Sequence, residues 1–245
     1  MKTFQEYIDE IEQHYNKIQD NILSLVPTLQ EILEGNPNDR IFIYSFDILK
    51  RIISNLKILK HIKFNDISCV SYRLVLRATI GDIIEGLFYL NTDGSIRGNE
   101  MRKQDLEFIR YLENYTKDTY RFFNNRDPKS MNGIDLEKLK QNFSQYVDPQ
   151  TGKFFRVTRD DPKLGMASMM DQLIQKKIVS KEYKQLYSSY RLLSFTEHYN
   201  ILGRRFSYNE EMSILLIVDS VRWLLIGADA LCSSIKELAK TNNRY

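Results

Sequence analysis

The sequence predicts an all-α protein, in which about four long helices form a bundle and shorter helices pack against it. Apolar residues recur at intervals of three and four over long stretches, which is the period of one face of an α-helix. The chain has only 5 Pro and 10 Gly among 245 residues, and both residue types interrupt helices. No segment alternates apolar and polar residues as a half-buried strand does. We therefore expect helices that pack on helices.

The first helix has a clear start signal. Thr3 and Glu6 stand in a capping-box pattern, in which each side chain bonds the backbone of the other residue. A helical apolar stripe follows and ends near Glu34, before a Gly-Asn-Pro sequence. Pro27 lies within this stretch, so we expect it to kink or restart the helix.

The second helix is predicted over residues 40–62, which carry a helical stripe. The third runs to Leu90 from a cap at Asn65 or Asp66. It is apolar on nearly every side, which is typical of a helix buried in a core. The turn-forming sequence at 91–94 ends it.

The fourth long helix is predicted over residues 99–125, and shorter helices over 166–177 and 180–199. The last helix begins at a second capping-box pattern, Ser207–Glu210, and ends near Thr241. The apolar side of the helix over 99–125 is predicted to contain Phe108, Ile109, Leu112, Tyr115, Thr119, Phe122 and Phe123.

Residues 126–165 differ in composition from the rest of the chain. They hold three of the five prolines and three glycines, around one predicted short helix at 135–146. The segment is too short to have a hydrophobic core of its own. We interpret 126–165 as a loop-rich insertion or lid within a single all-α domain that spans 1–245.

The bulk composition predicts a cytoplasmic protein. A net charge of +3 does not indicate the concentrated basic face of a nucleic-acid-binding protein. The two cysteines, Cys69 and Cys232, lie in apolar helical stretches and suggest no disulfide framework. The N-terminus has no apolar signal-peptide core. The most apolar run, 214–232, contains three charged residues, so we expect a buried core helix and no membrane span.

Motifs for common cofactors and metals are missing from the sequence. No glycine-rich phosphate loop occurs, and we expect no cofactor. Glu12 precedes His14 by two residues and Glu197 precedes His198 by one. Both spacings direct the two side chains to different faces of a helix, so no metal site is expected.

Charged residues within apolar helices form the first candidate site. Such side chains must be paired or reach water. One interpretation is a network of salt bridges between helices, which also involves Asp82. The other is an interhelical pocket for a small anionic ligand, in which Arg77 clamps the anion. The candidate pocket residues are Arg73, Arg77, Glu85, Asp219 and Arg222.

Arg191 and His198 form the second candidate site. Seven residues make almost two helical turns, which places the two side chains on one face about 10 Å apart. His198 could act as general acid or base and Arg191 could hold a phosphate, with Tyr190 and Ser194 as supporting groups. These groups would suffice for RNA cleavage without a metal. The alternative is that His198 packs near the helix end and Arg191 is solvated.

The third candidate site is a short basic and aromatic segment. Lys153, Arg156 and Arg159 alternate with Phe154 and Phe155. Basic side chains can follow a nucleic-acid backbone while aromatic rings stack on bases, so this segment could guide single-stranded RNA. The alternative is a solvated loop that the two phenylalanines anchor.

Two stretches, 71–90 and 183–198, resemble a group of bacterial helical proteins of unknown function. In that group an apolar helix that bears arginine precedes a Tyr-x-x-Leu-Ser-x-x-x-His segment, which here runs from Tyr190 to His198. The group is similar to the HEPN superfamily of helical-bundle domains. Many HEPN proteins are metal-independent RNases of toxin–antitoxin or phage-defence systems. They act as dimers through an Arg and a His that lie a few residues apart.

Taken together, these patterns favour a HEPN-like bacterial helical bundle that serves as a binding or regulatory module. The resemblance implies a HEPN-type RNase that uses Arg191 and His198 as one alternative, and the charged helices imply a small-anion binder as another. Whether the chain is an enzyme stays open. The apolar stripes exceed what one small bundle needs, which is consistent with a homodimer. RNA and an unidentified protein are the other expected partners.

Overall fold

The computed structural model describes residues 3–35, 37, 39–61, 70–122, 136–195 and 210–242. These residues are helical except for short connections and one loop-rich segment, which confirms the all-α prediction. Short 3-10 helices lie at Ser144–Tyr146 and Lys181–Tyr183, and one isolated antiparallel bridge joins Val147 to Phe154. The α-helices are α1 (Phe4–Leu23), α2 (Val26–Gly35), α3 (Arg40–His61), α4 (Val70–Asn91), α5 (Gly94–Phe122), α6 (Leu136–Asn142), α7 (Met166–Gln175), α8 (Lys184–Phe195) and α9 (Glu210–Asn242).

The start of α1 is the predicted capping box. The Thr3 hydroxyl accepts a hydrogen bond from the Glu6 N–H at 3.3 Å, and the Glu6 carboxylate accepts one from the Thr3 N–H at 2.6 Å. Pro27 restarts the helix, because it lies in the first turn of α2, where a missing N–H leaves no helical bond unmade. The predicted caps at Asn65, Asp66 and Ser207 lie outside the described residues.

Helix α5 differs from its prediction in two ways. It begins at Gly94, five residues before the expected start at Asn99. The prediction that Phe108, Ile109 and Tyr115 share a buried apolar side was wrong in part. Ile109 is 1% exposed, but Phe108 and Tyr115 are 54% and 53% exposed. Ile109 turns toward a hydrophobic cluster and its sequence neighbour Phe108 therefore turns away from it. The side chains of Thr119, Phe122 and Phe123 are outside the described set.

The chain forms two compact units, of which the first combines Met1–Thr92 with Gly165–Tyr245 and the second is Asp93–Leu164. The second unit starts earlier than the predicted insertion at 126–165. The reason is that the loop-rich segment shares a core with α5. The core consists of Leu106, Ile109, Leu139, Tyr146 and Phe154. The single domain over 1–245 and the role of the segment as a lid stay predictions.

A buried lysine ties the two ends of the second unit together. The Lys103 ammonium, on α5, donates to the Glu100 carboxylate at 2.8 Å, to the Pro162 carbonyl at 3.3 Å and to Asp161. Glu100 also accepts a hydrogen bond from the Leu164 N–H at 2.8 Å. Burial alone would lower the pKa of Lys103, but the bonds to Asp161 and Glu100 outweigh it and hold that pKa above its usual value. The ammonium is therefore a structural cation.

Removal of this cation tests its structural role. Lys103→Met leaves the Glu100 carboxylate, 3% exposed, without its ammonium, so we expect a loss of about 3–5 kcal/mol in the free energy of unfolding. The matched variant Lys117→Met breaks an exposed pair with Glu113 on the same helix, and should lose about 1 kcal/mol or less. Urea denaturation followed by circular dichroism measures both. Equal losses in the two variants would contradict a structural role for Lys103.

Helix α4 is the centre of the first unit. It packs against α3, α7, α8 and α9, while α1 packs against α3 and α9. Most side chains in the second half of α4 are buried, as its apolar sequence predicts, and Ile83, Leu87 and Phe88 are fully inaccessible. A large share of the hydrophobic stabilisation of this unit therefore comes from surfaces that face α4.

Two glycines allow the helices to approach α4 closely. A Cβ at Gly86, on α4, would lie 2.8 Å from a methyl of Leu231 on α9. A Cβ at Gly227, on α9, would lie 2.9 Å from a methyl of Ile83 and 3.0 Å from one of Leu186. Contacts this short force neighbouring side chains to move, so a larger residue at either position disturbs the packing.

We expect Gly227→Ala to destabilise the first unit. The overpacking should cost about 1–3 kcal/mol, which exceeds the gain of roughly 0.5–1 kcal/mol in helix propensity. Gly98→Ala, inside α5, is the control, because a Cβ there meets no atom within 4 Å. It should raise the stability of its own unit by roughly 0.5–1 kcal/mol. Thermal unfolding of both variants measures the difference, and a Gly227→Ala protein that is more stable than wild type would refute the close packing.

Candidate functional site

A cleft of about 370 Å³ opens on the face of α4 that the neighbouring helices leave uncovered. Its volume is within the range of pockets for small molecules. Helices α4, α7 and α8 supply the side chains that line it. These residues are Leu74, Arg77, Ala78, Gly81, Asp82, Glu85, Met166 and Tyr190.

Small residues on α4 form the floor of the cleft. Leu74 is 41% exposed and Ala78 is also exposed, although most of the helix is buried. A Cβ at Gly81 would lie 3.3 Å from the Tyr190 ring, so the ring of α8 rests almost on the backbone of α4. Ala78 and Gly81 thus leave room for the cleft where α8 crosses α4.

On the α8 side of the cleft, Tyr190 holds the guanidinium of Arg77. The Arg77 Nη2 donates to the Tyr190 hydroxyl at 3.3 Å, and its Cζ lies 4.9 Å from the centre of the Tyr190 ring. The Tyr187 ring stacks on Tyr190 from one turn earlier, with 6.3 Å between centroids. A hydrogen bond, a cation–π contact and a stacked neighbour together restrict where the positive charge can lie.

On the α3 side of the cleft, two carboxylates of α4 are held by residues of α3. Asp82 pairs with Arg51 at 2.9 Å. Glu85, 8% exposed, accepts a hydrogen bond from the Tyr44 hydroxyl at 3.4 Å. The Tyr44 ring packs edge-on against Tyr89 with 5.0 Å between centroids. The cleft therefore has its cation at one wall and its carboxylates at the other.

Burial shifts the pKa of the Asp82 carboxyl. It raises that pKa to about 6, although the positive charge of Arg51 lowers it, and the negative charge of Glu85 raises it further. Burial, and then the Glu85 charge, hold the pKa of the Tyr44 hydroxyl well above its usual value. Tyr44 therefore keeps its proton and can donate it to Glu85 across the accessible pH range.

Only some of the residues that were predicted to form an anion-binding pocket line the cleft. Arg77 and Glu85 line the cleft, but Arg73 is 0% exposed and belongs to the core. Burial lowers the pKa of Arg73 below its usual value. In the same region, the hydroxyls of Tyr15 and Tyr72 form a buried hydrogen bond of 2.6 Å. The prediction of Arg73 as a ligand residue, which rests on its position one turn from Arg77, was wrong, because the Arg73 side chain is buried whereas its neighbour Leu74 is exposed to the cleft.

The two predicted residues of α9 lie away from the cleft. Arg222 pairs with Glu10 of α1 at 2.7 Å, and Asp219 is exposed. Neither lines the cleft, so the placement of Asp219 and Arg222 in the same pocket as Arg77 was wrong. The pair Arg222–Glu10 and the pair Arg51–Asp82 join different helices. The alternative interpretation, a network of salt bridges between helices, thus describes two pairs of charged residues correctly.

The second predicted site is described only at its N-terminal end. Arg191 is exposed on α8. The Ser194 hydroxyl donates to the Tyr190 carbonyl at 2.8 Å, a bond within the helix. Tyr190 itself belongs to the cleft on α4. His198 lies outside the described residues, as do Glu197 and Cys69, so the geometry of the Arg191–His198 pair stays a prediction.

Phe154 belongs to the core of the second unit and cannot stack on a base. It is 6% exposed, within the cluster formed with α5 and α6. The bridge from Val147 to Phe154 turns the ring inward. The prediction of Phe154 as an RNA-stacking residue was wrong, and the alternative of an anchored loop describes this side chain.

The other members of the basic segment lie at the surface. Arg156 pairs with Glu113 of α5, and Phe155, 36% exposed, lies under the Arg102 guanidinium at 5.4 Å. Lys153 and Arg159 are exposed. Arg156 and Phe155 therefore contact α5, whereas Lys153 and Arg159 face solvent.

Within the described parts of the chain, no three His, Cys, Asp or Glu residues come together as metal ligands. Cys232 is buried with a free thiol, and burial raises its pKa to about 11.

No helix among the described ranges is both long and apolar enough to cross a membrane.

Sequence reasoning missed several residues of the cleft. Gly81 and Met166 carry no charge that would single them out, and Tyr44 and Arg51 became relevant only when α3 was seen beside α4. The sequence indicates that Asp82 is a charge within an apolar helix, but it does not place Asp82 in the pocket. The missing information was which helices lie next to α4.

No family model, curated protein or solved structure matches this chain significantly. The resemblance to HEPN domains therefore stays a prediction from the sequence.

The raised pKa of Asp82 gives a pH-dependent stability. A carboxyl with a native pKa of about 6 and a usual value of 3.8 binds more protons when folded. Its contribution to stability is therefore present at pH 4 and is lost as the pH rises to 7, by about 3 kcal/mol at most. The stability of the wild type relative to Asp82→Asn should fall over this range. Urea titrations at several pH values measure it.

Arg51→Gln provides the matched test. It removes the cation that lowers the pKa of Asp82, so the loss of stability should extend to higher pH. If the free energies of unfolding of the wild type and Asp82→Asn change equally between pH 4 and pH 7, the raised pKa of this carboxyl is contradicted.

Proposed function

We propose that this protein is a binding module whose cleft on α4 holds a small polar ligand. The observation that carries the proposal is the arrangement of Arg77 and Asp82 at opposite walls of a cleft with an apolar floor. Small-molecule sites combine mostly apolar walls with a few polar groups in fixed positions. Leu74, Ala78 and Met166 supply apolar surface here.

Each polar group of the cleft is held by a neighbouring side chain of the protein itself. Tyr190 holds Arg77, Arg51 holds Asp82 and Tyr44 bonds Glu85. Groups that are already positioned lose little conformational entropy when a ligand binds, which favours affinity. This supports a binding role, which is also the role that the sequence favours. The question of catalysis stays open.

The HEPN-type RNase remains a proposal that rests on the sequence alone. The described part of the chain contributes an exposed Arg191 to it, and its general acid or base would be His198. A bacterial origin, a cytoplasmic location, a homodimer and RNA as partner are likewise proposals from the sequence. A ribonuclease assay on wild type and His198→Ala tests the nuclease, since equal residual activity would indicate a contaminant.

The binding proposal predicts a ligand-dependent thermal shift that depends on the cleft. The full-length protein would be screened by thermal unfolding against inorganic phosphate, glutarate, adenosine monophosphate and 6-aminohexanoate. At least one compound should raise the melting temperature, because a ligand that binds only the folded state stabilises it. Ala78→Leu places a larger side chain on the exposed floor and should abolish the shift.

Gln30→Leu is the control for Ala78→Leu. It adds a similar apolar side chain at an exposed position of α2, away from the cleft, and should leave the shift intact. The proposal fails if no compound in the panel changes the melting temperature, or if the shift survives in Ala78→Leu.

A further inference from the structure

We infer that the ligand of the α4 cleft is a zwitterion, whose anionic group binds beside Arg77 and whose cationic group binds beside Asp82 and Glu85. The inference rests on the proposed binding function and narrows it to one class of ligand. It replaces the small anion that the sequence predicted.

The positions of the charges on α4 support a ligand with two opposite ends. Residues 77 and 82 are five apart, which places their Cα atoms about 9 Å apart on an ideal helix and directs their side chains about 140° apart around the axis. Arg77 accordingly contacts Tyr190 of α8, whereas Asp82 contacts Arg51 of α3. The positive group therefore lies at the α8 edge of the cleft and the negative group at its α3 edge, and the two do not neutralise each other by direct contact along the helix.

The signs of the lining charges also favour a zwitterion. The lining residues carry one cation, Arg77, and two carboxylates, Asp82 and Glu85. A ligand charge that meets no opposite charge is costly in a partly desolvated cleft. A zwitterion brings one charge of each sign, so each of its ends can lie beside an opposite charge.

A simple anion fits only half of the site. It would be attracted by Arg77 and repelled by the two carboxylates, of which Glu85 is nearly inaccessible to screening solvent. The raised pKa of Asp82 agrees with this, because burial and the Glu85 charge both favour a bound proton there. Of these two causes, the Glu85 charge also favours an ammonium group beside Asp82. A simple cation would be repelled by the positive charge of Arg77.

The size and the floor of the cleft indicate a short carbon chain between the two charged groups. A volume of about 370 Å³ accommodates a molecule the size of an amino acid. Leu74, Ala78 and the Met166 side chain border the space between the two walls, and they can contact methylene groups. An α,ω-amino acid has this form.

Isothermal titration of the full-length protein tests the ligand class. The probes are 4-aminobutanoate, 6-aminohexanoate and 8-aminooctanoate, each compared with the amine and the carboxylate of the same chain length. We expect one zwitterion to bind at least about tenfold more tightly than either of its singly charged counterparts. Arg77→Gln should remove the advantage over the amine, and Asp82→Asn should reduce the advantage over the carboxylate.

Arg77→Lys keeps the positive charge and should retain part of the preference, which separates the effect of charge from a loss of folding. If an amine or a carboxylate binds as tightly as its zwitterion, and Ala78→Leu abolishes that binding, the zwitterion inference is overturned and the binding function stands. If neither these probes nor the thermal-shift panel bind, both are overturned.

Discussion

The first unit depends on the enclosure of α4 by α3, α7, α8 and α9. Most of the second half of α4 is buried, so its neighbours must supply apolar surface around it and approach it closely. Gly86 and Gly227 make that approach possible because a Cβ at either position would overlap a leucine or isoleucine methyl. Packing at this density leaves little room for alternative arrangements of the helices.

The cleft arises where this enclosure is incomplete. Nearer its N-terminal end, α4 exposes Leu74 and Ala78, and it carries charges that the neighbouring helices only partly cover. Since α4 cannot rotate without exposing its apolar half, these charges are fixed in direction. Arg77 must face α8 and Asp82 must face α3, where Tyr190 and Arg51 meet them. The rigidity of the core thus sets the geometry of the site.

Much of this fold could be predicted from the sequence because helix periodicity and capping are local properties. Short segments of sequence predict the Thr3–Glu6 capping box, the restart of the helix at Pro27 and the apolar character of α4 on nearly every side. Which side of a helix meets a neighbour was harder, as Phe108 and Ile109 show, since two adjacent apolar residues look alike until the partner is known. The candidate site was predictable only on α4 itself. Tyr44, Arg51 and Met166 join it through tertiary packing, and no local pattern encodes that packing.

If the uncovered face of α4 is a preformed binding site, a ligand should perturb that face and little else. A map of backbone amide chemical shifts during titration with 6-aminohexanoate measures this directly. We expect the largest changes at Ala78, Gly81, Asp82 and Tyr190, with little change at α5. Changes that are absent from α4 and α8 while others appear elsewhere in the chain would contradict it.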